Sequence, residues 1–342
     1  MARLVTIRDI SKECGVSTAT VSKALNGYGD ISEETREKVL KCAHDLHYIP
    51  NAAARSLKTS NTKSIGVIYQ DKTDLVGGEG GLTHEYFSSI LNSAKKCAES
   101  RGYDITFLNR NIGNSYLEHC RYRNIDGVLV VSADFGARDL IDLVHSDIPL
   151  VTIDYTYDSH SSVNSDNVIG AYTLTKYLID NGHRDIAFIY GETTSVTKKR
   201  FNGFYRAMSE SGINVRDEFL VEGRYHDPKS SGRATRKLLS MPVRPTAIMY
   251  PDDISYLGGR TELEKEGLSV PEDISVVGYD GIKLASLLRP MLTTYHQDVD
   301  EIGKKSMSKL LYLIENGRTA EEEIIKVQGY IEKGQTVRDI SK

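Results

Sequence analysis

Two sets of residues in this 342-residue sequence have types and spacing that could do chemistry. The first lies in residues 15–26, GVSTATVSKALN, where Thr18, Ala19, Ser22 and Lys23 fall on one face of a short helix. Small side chains with one cation suit a groove. The second set follows a series of apolar runs: Asp154, the loop at Gly191, Asp252 and Asp253 after Pro251, and Asp280. In open α/β sheets ligands bind beyond the carboxyl ends of the strands, so these groups are expected to converge on one cleft.

The helix at 15–26 needs a scaffold. Val16, Val21 and Leu25 are apolar, and Val21 and Leu25, one turn apart, can anchor it in a small core. Ser17 stands where an N-cap acceptor would. Before it, Ile7, Ile10 and Cys14 follow a capping Thr6 at helical spacing, and a turn containing Gly15 joins the two helices. This is the helix-turn-helix pattern, whose second helix lies in the DNA major groove while the first braces against the backbone. Residues 32–47 form a third helix with Val39, Leu40, Ala43 and Leu46 on its apolar side; Pro50 ends it, and Tyr48 and Ile49 close the core. Residues 51–57, NAAARSL, can form a helix too short to stand without a partner, and 58–63 are a polar linker. A helix at the edge of folding, between a DNA reader and a large body, suits a switch.

From Ile65 the pattern changes. Short Val- and Ile-rich runs at 65–69, 105–108, 127–131, 150–153, 186–190, 247–250 and 274–278 read as buried parallel strands. They alternate with amphipathic stretches at 86–101, 137–145, 169–181, 199–211, 229–240, 254–266 and 302–315. The fold class expected is an all-α helix-turn-helix head plus an α/β body of two doubly wound lobes.

Composition bounds the function. With 39% hydrophobic and 26% charged residues the chain has the make-up of a globular protein of two or three domains, with no apolar run near the roughly 20 residues of a membrane span. The polar N-terminal helix is no secretory signal, so a cytoplasmic location is expected. Cys14, Cys42, Cys97 and Cys120 show no zinc or disulfide spacing, and no metal or cofactor is expected. Overall charge is −4, yet residues 1–60 hold nine Lys and Arg against seven Asp and Glu, so the head is +2 and the remainder −6. That asymmetry fits DNA contact confined to one end. No GxSxG elbow, P-loop or metal-spaced histidine pair is present, and an enzyme is not expected. The glycines of 71–84, DKTDLVGGEGGLTH, lack GxGxxG spacing and read as a flexible loop.

In order along the chain, TIRDISKECGVSTATVSKALNG, ISEETREKVLKCAHDLHYIPNAAARSL, IPLVTID, NGHRDIAFIYG, RFNGF, VPEDISVVGYDG and LTTYHQ resemble the lactose-repressor/galactose-repressor (LacI/GalR) family of bacterial transcription regulators. The resemblance implies that Thr18, Ala19 and Lys23 meet base edges. It places Thr6, Ser17, Thr20, Ser22 and Asn26 nearer phosphates. It makes 51–57 a hinge helix in which Leu57 wedges into the minor groove, with Asn51, Ala54 and Arg55 beside it. The implied domains are 1–50, 51–62 and 63–342. The last resembles the type I periplasmic-binding-protein fold, with an N-lobe of 63–162 and 292–324 and a C-lobe of 163–291 and 325–342. Asp154, Arg200, Asp253 and Asp280 match positions that reach the effector, with stacking faces from Tyr69 and Tyr86 or Phe87; Arg200 and Asp280 could instead pair with each other. Carboxylates and a guanidinium can hold vicinal hydroxyls, so a carbohydrate is the expected effector. The expected partners are a palindromic DNA operator, that effector and a second copy of the chain, since no leucine heptads follow the last lobe. Repression by occupancy is the expected output.

Overall fold

The computed structural model describes residues 5–48, 61–70, 84–110, 115–317 and 322–341. The chain divides into two compact units, Met1–Thr62 and Lys63–Lys342. The expected hinge residues Asn51, Ala54, Arg55 and Leu57 lie outside the described residues.

In the first unit three helices follow the signals in the sequence. Helix α1 (Ile7–Cys14) starts where Thr6 donates its amide and hydroxyl to Asp9 Oδ2, at 2.9 and 2.7 Å. Gly15, at φ 65°, supplies the left-handed turn that ends it. Helix α2 (Thr18–Leu25) is capped by Ser17, whose Oγ accepts from the Thr20 amide at 3.1 Å, and α3 (Glu33–Asp45) by Ser32 in the same way. Ile10, Cys14, Val21, Ala24, Val39 and Ala43 fill the core. Leu25 packs half-buried against this core, Ala24 joins Val21 as a fully buried residue of α2, and one expectation shifts, since Leu40 is 46% exposed. Val39 and Ala43 are one turn apart and face inward, which rotates Leu40 away from the core.

The second unit holds two six-stranded sheets. In the first, β1 (Ser64–Tyr69), β2 (Asp104–Phe107), β3 (Gly127–Ser132), β4 (Leu150–Ile153), β5 (Ser161–Ser165) and β11 (Ile324–Val327) run parallel in the order β11-β5-β4-β3-β1-β2. In the second, β6 (Ile186–Tyr190), β7 (Leu220–Glu222), β8 (Ala247–Met249), β9 (Ser275–Asp280), β10 (Thr293–His296) and β12 (Tyr330–Glu332) take the order β12-β10-β9-β8-β6-β7; only the edge strand β12 is antiparallel. Each sheet adds strands outward from its centre, the doubly wound pattern that leaves a crevice at the strand ends.

Helices cover both faces. Around the first sheet are α4 (Glu85–Ser100), α5 (Tyr116–Arg123), α6 (Arg138–Val144) and α12 (Val299–Asn316). Around the second are α7 (Asn167–Asp180), α8 (Ser195–Glu210), α9 (Pro228–Leu239), α10 (Asp253–Lys265) and α11 (Lys283–Leu287). The chain therefore passes between sheets after Ser165, after His296 and after Val327, each a few residues beyond the expected crossings at 162, 292 and 324. At two of the three crossings the strand is written in polar residues, β5 (SSVNS) and β10 (TTYH). All of β5 is buried, with Asn164 Nδ2 donating to Ser162 Oγ at 2.9 Å and Ser161 Oγ accepting from the Glu323 amide at 3.1 Å. No described helix is long and apolar enough to cross a membrane.

Candidate functional sites: a groove-reading helix and an interlobe cleft

On α2 the core side and the outer side separate cleanly. Val21 and Ala24 are buried, while Thr18, Ala19, Lys23 and Asn26 are exposed and Ser22 half-buried. The polar groups are held locally. Ser17 Oγ meets Thr20 Oγ1 at 2.9 Å, Asn26 Nδ2 donates to the Ser22 carbonyl at 2.6 Å, and Lys23 forms an exposed ion pair with Asp30. Asp30 is held below the usual carboxylate range by Lys23. Thr6 and Ser17 thus fix helix ends, and Thr18, Ala19 and Lys23 form the outward face.

The second site lies at the carboxyl ends of the strands in the larger unit. Tyr69 ends β1, Asp154 follows β4, and Asp280 ends β9. The buried Arg200 reaches in from α8. Its Nε donates to Asn167 Oδ1 at 2.8 Å and a terminal nitrogen to the Pro251 carbonyl at 2.7 Å, and its guanidinium lies 3.5 Å over the Tyr279 ring. Asp280 accepts from Gln297 Nε2 at 2.7 Å, so Arg200 and Asp280 are each fixed by other partners. Asp154 accepts from Tyr86 Oη at 2.8 Å and from the Ser165 amide at 2.9 Å.

The two lobes approach one another here. The His84 and His226 rings, from opposite lobes, are 3.8 Å apart, with Phe87 packed on both. Glu85 accepts from the Lys283 amide across the same boundary at 3.0 Å. Tyr69 packs edge-on against Phe87 at 5.5 Å, and Phe87 in turn packs against Tyr86 at 5.2 Å. Asp253 plays a different part. Both its oxygens are spent inside the C-lobe, on Thr294 Oγ1 at 2.6 Å and the Ile282 amide at 3.0 Å, and it is fully buried. Its neighbour Asp252 caps α10 through the Ser255 amide at 2.7 Å and holds the His226 amide at 2.8 Å. Sequence reasoning did not assign roles to His84, Tyr225, His226 or Tyr279. Only the position of Tyr279 beside Asp280 offered a clue.

Burial dominates the electrostatics. It pushes the Asp280 carboxyl up to about 7, against the pull of His226 and Arg200. It raises Asp154 as well, opposed first by the Tyr86 hydrogen bond. Burial would also raise Asp252, but the His226 beside it outweighs this and holds it down at about 2. Asp154, His226 and Asp280 all sit at positive φ, 56°, 57° and 105°. L-residues there cost of order 1–3 kcal/mol, strain that collects at ligand sites.

Comparison with known proteins places the chain in one family. Residues 6–51 match the family model for bacterial regulatory proteins of the lacI family, and residues 175–337 the model for a periplasmic binding protein-like domain. The chain is 35% identical to an HTH-type transcriptional repressor PurR from Pasteurella multocida, over 95% of this chain and 96% of that one. The chain belongs to the LacI family. It is a DNA-binding transcriptional repressor of that family. A PurR repressor from Vibrio vulnificus is 36% identical over 92% of this chain and 93% of its own. Among solved structures, a Lac repressor dimer bound to operator and the anti-inducer ONPF superposes with a TM-score of 0.81 at 26% identity, covering 98% of this LacI-family chain and all of that one. A CelR–cellobiose complex superposes at 0.68, with 25% identity and coverage of 97% and 99%.

Proposed function

We propose that this LacI-family repressor acts in the cytoplasm as a homodimer on a palindromic operator, with its DNA affinity set by a small polar ring compound bound between the lobes. The observation that carries the effector reading is the convergence of Asp154, Asp280 and Arg200 with aromatic rings at the strand ends of both lobes. Carboxylates and a guanidinium make paired hydrogen bonds to neighbouring hydroxyls while rings cover an apolar face, which suits a sugar or sugar derivative. A second reading, a purine or nucleoside, is favoured by the density of flat faces: Tyr69, Phe87 and the Tyr225 and Tyr279 rings flanking Arg200. The family membership supports a regulator rather than a catalyst.

On the DNA side, Thr18, Ala19 and Lys23 are proposed to read base edges, Thr6, Ser17, Thr20, Ser22 and Asn26 to approach phosphates, and Leu57 to wedge into the minor groove between Asn51, Ala54 and Arg55. A thermal-shift screen of sugars, sugar phosphates, purines and nucleosides tests the effector, because a ligand of the folded body raises its melting temperature. Stabilisation by a carbohydrate supports the first reading; stabilisation only by a purine or nucleoside replaces it with the second. In a gel-shift titration Leu57→Ala should lose specific binding with the body still folded. Full retained affinity refutes the hinge assignment.

A further inference from the structure

We propose that His84, His226 and Asp280 form a binding site for one divalent transition-metal ion of the zinc class, which ties the two lobes together. One ligand atom from each of the three lies within 4.8 Å of the others. A metal bonded at about 2.0–2.1 Å draws its ligands to roughly 3.4 Å apart, so a small closing movement completes the set. His84 stands at the N-cap of α4 in the N-lobe; His226, in the loop before α9, and Asp280, at the end of β9, belong to the C-lobe.

The surroundings fit ligation. Asp280 is buried and oriented by Gln297, and a carboxylate oxygen of Asp252 lies 3.6 Å from His226 Nδ1, a buried nitrogen that makes no hydrogen bond. Metal-bound imidazoles are usually backed by such a carboxylate, which fixes the ring and strengthens it as a ligand. Phe87 shields both rings. Two imidazoles and one carboxylate suit zinc, cobalt or nickel, whereas magnesium and calcium favour all-oxygen sets. Three protein ligands leave a position open for water or for a donor atom of the effector. The site shares the proposed effector cleft but does not depend on which organic compound binds there.

The test uses the full-length protein, stripped with a chelator that is then dialysed away. Zinc chloride should bind at one equivalent per chain and raise the melting temperature, and cobalt chloride should give visible d–d absorption at the same stoichiometry. His84→Gln and His226→Gln should each weaken zinc binding by about 100-fold or more and abolish the cobalt band, with far-UV circular dichroism confirming the fold. Zinc bound equally well by both variants places the ion elsewhere and overturns the proposal. So does no binding at millimolar zinc, and equal stabilisation by magnesium or calcium overturns the zinc-class assignment. Zinc binding with no organic ligand found in the thermal-shift screen leaves this site standing and removes the effector reading; the reverse result does the opposite.

Discussion

The outer face of α2 and the interlobe cleft carry the two proposed recognition tasks under opposite physical conditions. On α2 the outward residues Thr18, Ala19 and Lys23 are exposed, lie on regular helix, and are held by a cap and one exposed ion pair, Lys23 with Asp30. In the cleft Arg200 and Asp280 are buried, Asp154, His226 and Asp280 hold strained backbone, and Arg200, Asp154 and Asp280 are each held by hydrogen bonds to the fold. A surface reader can therefore change its specificity at little cost to folding. A buried site cannot, because each polar group removed leaves its partners without water or replacement. Binding and stability should therefore separate in the head and move together in the cleft.

The largest expected effect is at Arg200. Arg200→Ala strips the donor from Asn167 Oδ1 and the Pro251 carbonyl and empties the space over Tyr279. Urea unfolding of the body should show a loss of about 3 kcal/mol, and any effector-induced thermal shift should vanish. A variant that keeps wild-type stability would show that the buried Arg200 contacts do not hold the fold together. Next is Lys23→Ala, which should weaken specific operator binding by about 1–3 kcal/mol in a titration against matched and mismatched duplexes. The melting temperature of the head should not move. A matching loss of stability would show that the lysine serves the fold.

How far these sites were legible in sequence follows the same division. The head is local: caps at Thr6, Ser17 and Ser32, a glycine at the turn and apolar residues a turn apart all lie within a few positions of what they control. The carboxylates at strand ends were legible too, since the apolar runs marked where each strand stops. His84 and His226 were not. They are far apart in sequence, each in an unpatterned segment, and only the packing of two lobes brings their rings together. Asp154 directly follows its strand, but Asp253 lies four residues beyond β8 as the first residue of α10, and its carboxylate turns into the lobe. Strand β5 escaped because SSVNS carries one apolar residue among four polar ones, so neither an apolar run nor an alternation marks it, although all five are buried.

A smaller effect sharpens the comparison inside the cleft. Tyr86→Phe removes one hydroxyl that donates to Asp154, a loss of about 1 kcal/mol at neutral pH. Burial holds the Asp154 proton more tightly in the folded than in the unfolded chain, so its contribution to stability falls as pH rises above the ordinary carboxylate range. Without Tyr86 to favour the ionised form, that fall should steepen. Variant and wild type should converge near pH of about 4 and separate toward neutrality in denaturant titrations. A gap independent of pH would mean that the hydroxyl packs but does not stabilise the carboxylate.

The smallest expected change is at Asp30, and it examines the exposed end of the comparison. In the free head Lys23 is tied to Asp30, and both side chains are about half exposed, at 47% and 57%. Exposed pairs contribute little to folding, so Asp30→Asn should leave the melting temperature unchanged. Operator binding should nevertheless tighten a few-fold at low salt. The lysine no longer has to leave a carboxylate to meet DNA, and the head gains one positive charge relative to the phosphates. Because the gain is electrostatic, it should fade as salt rises, while the discrimination between matched and mismatched duplexes stays as it was. A gain that persists at high salt would instead point to a rearranged α2 face, and would show that Asp30 shapes the reader as well as restraining its cation.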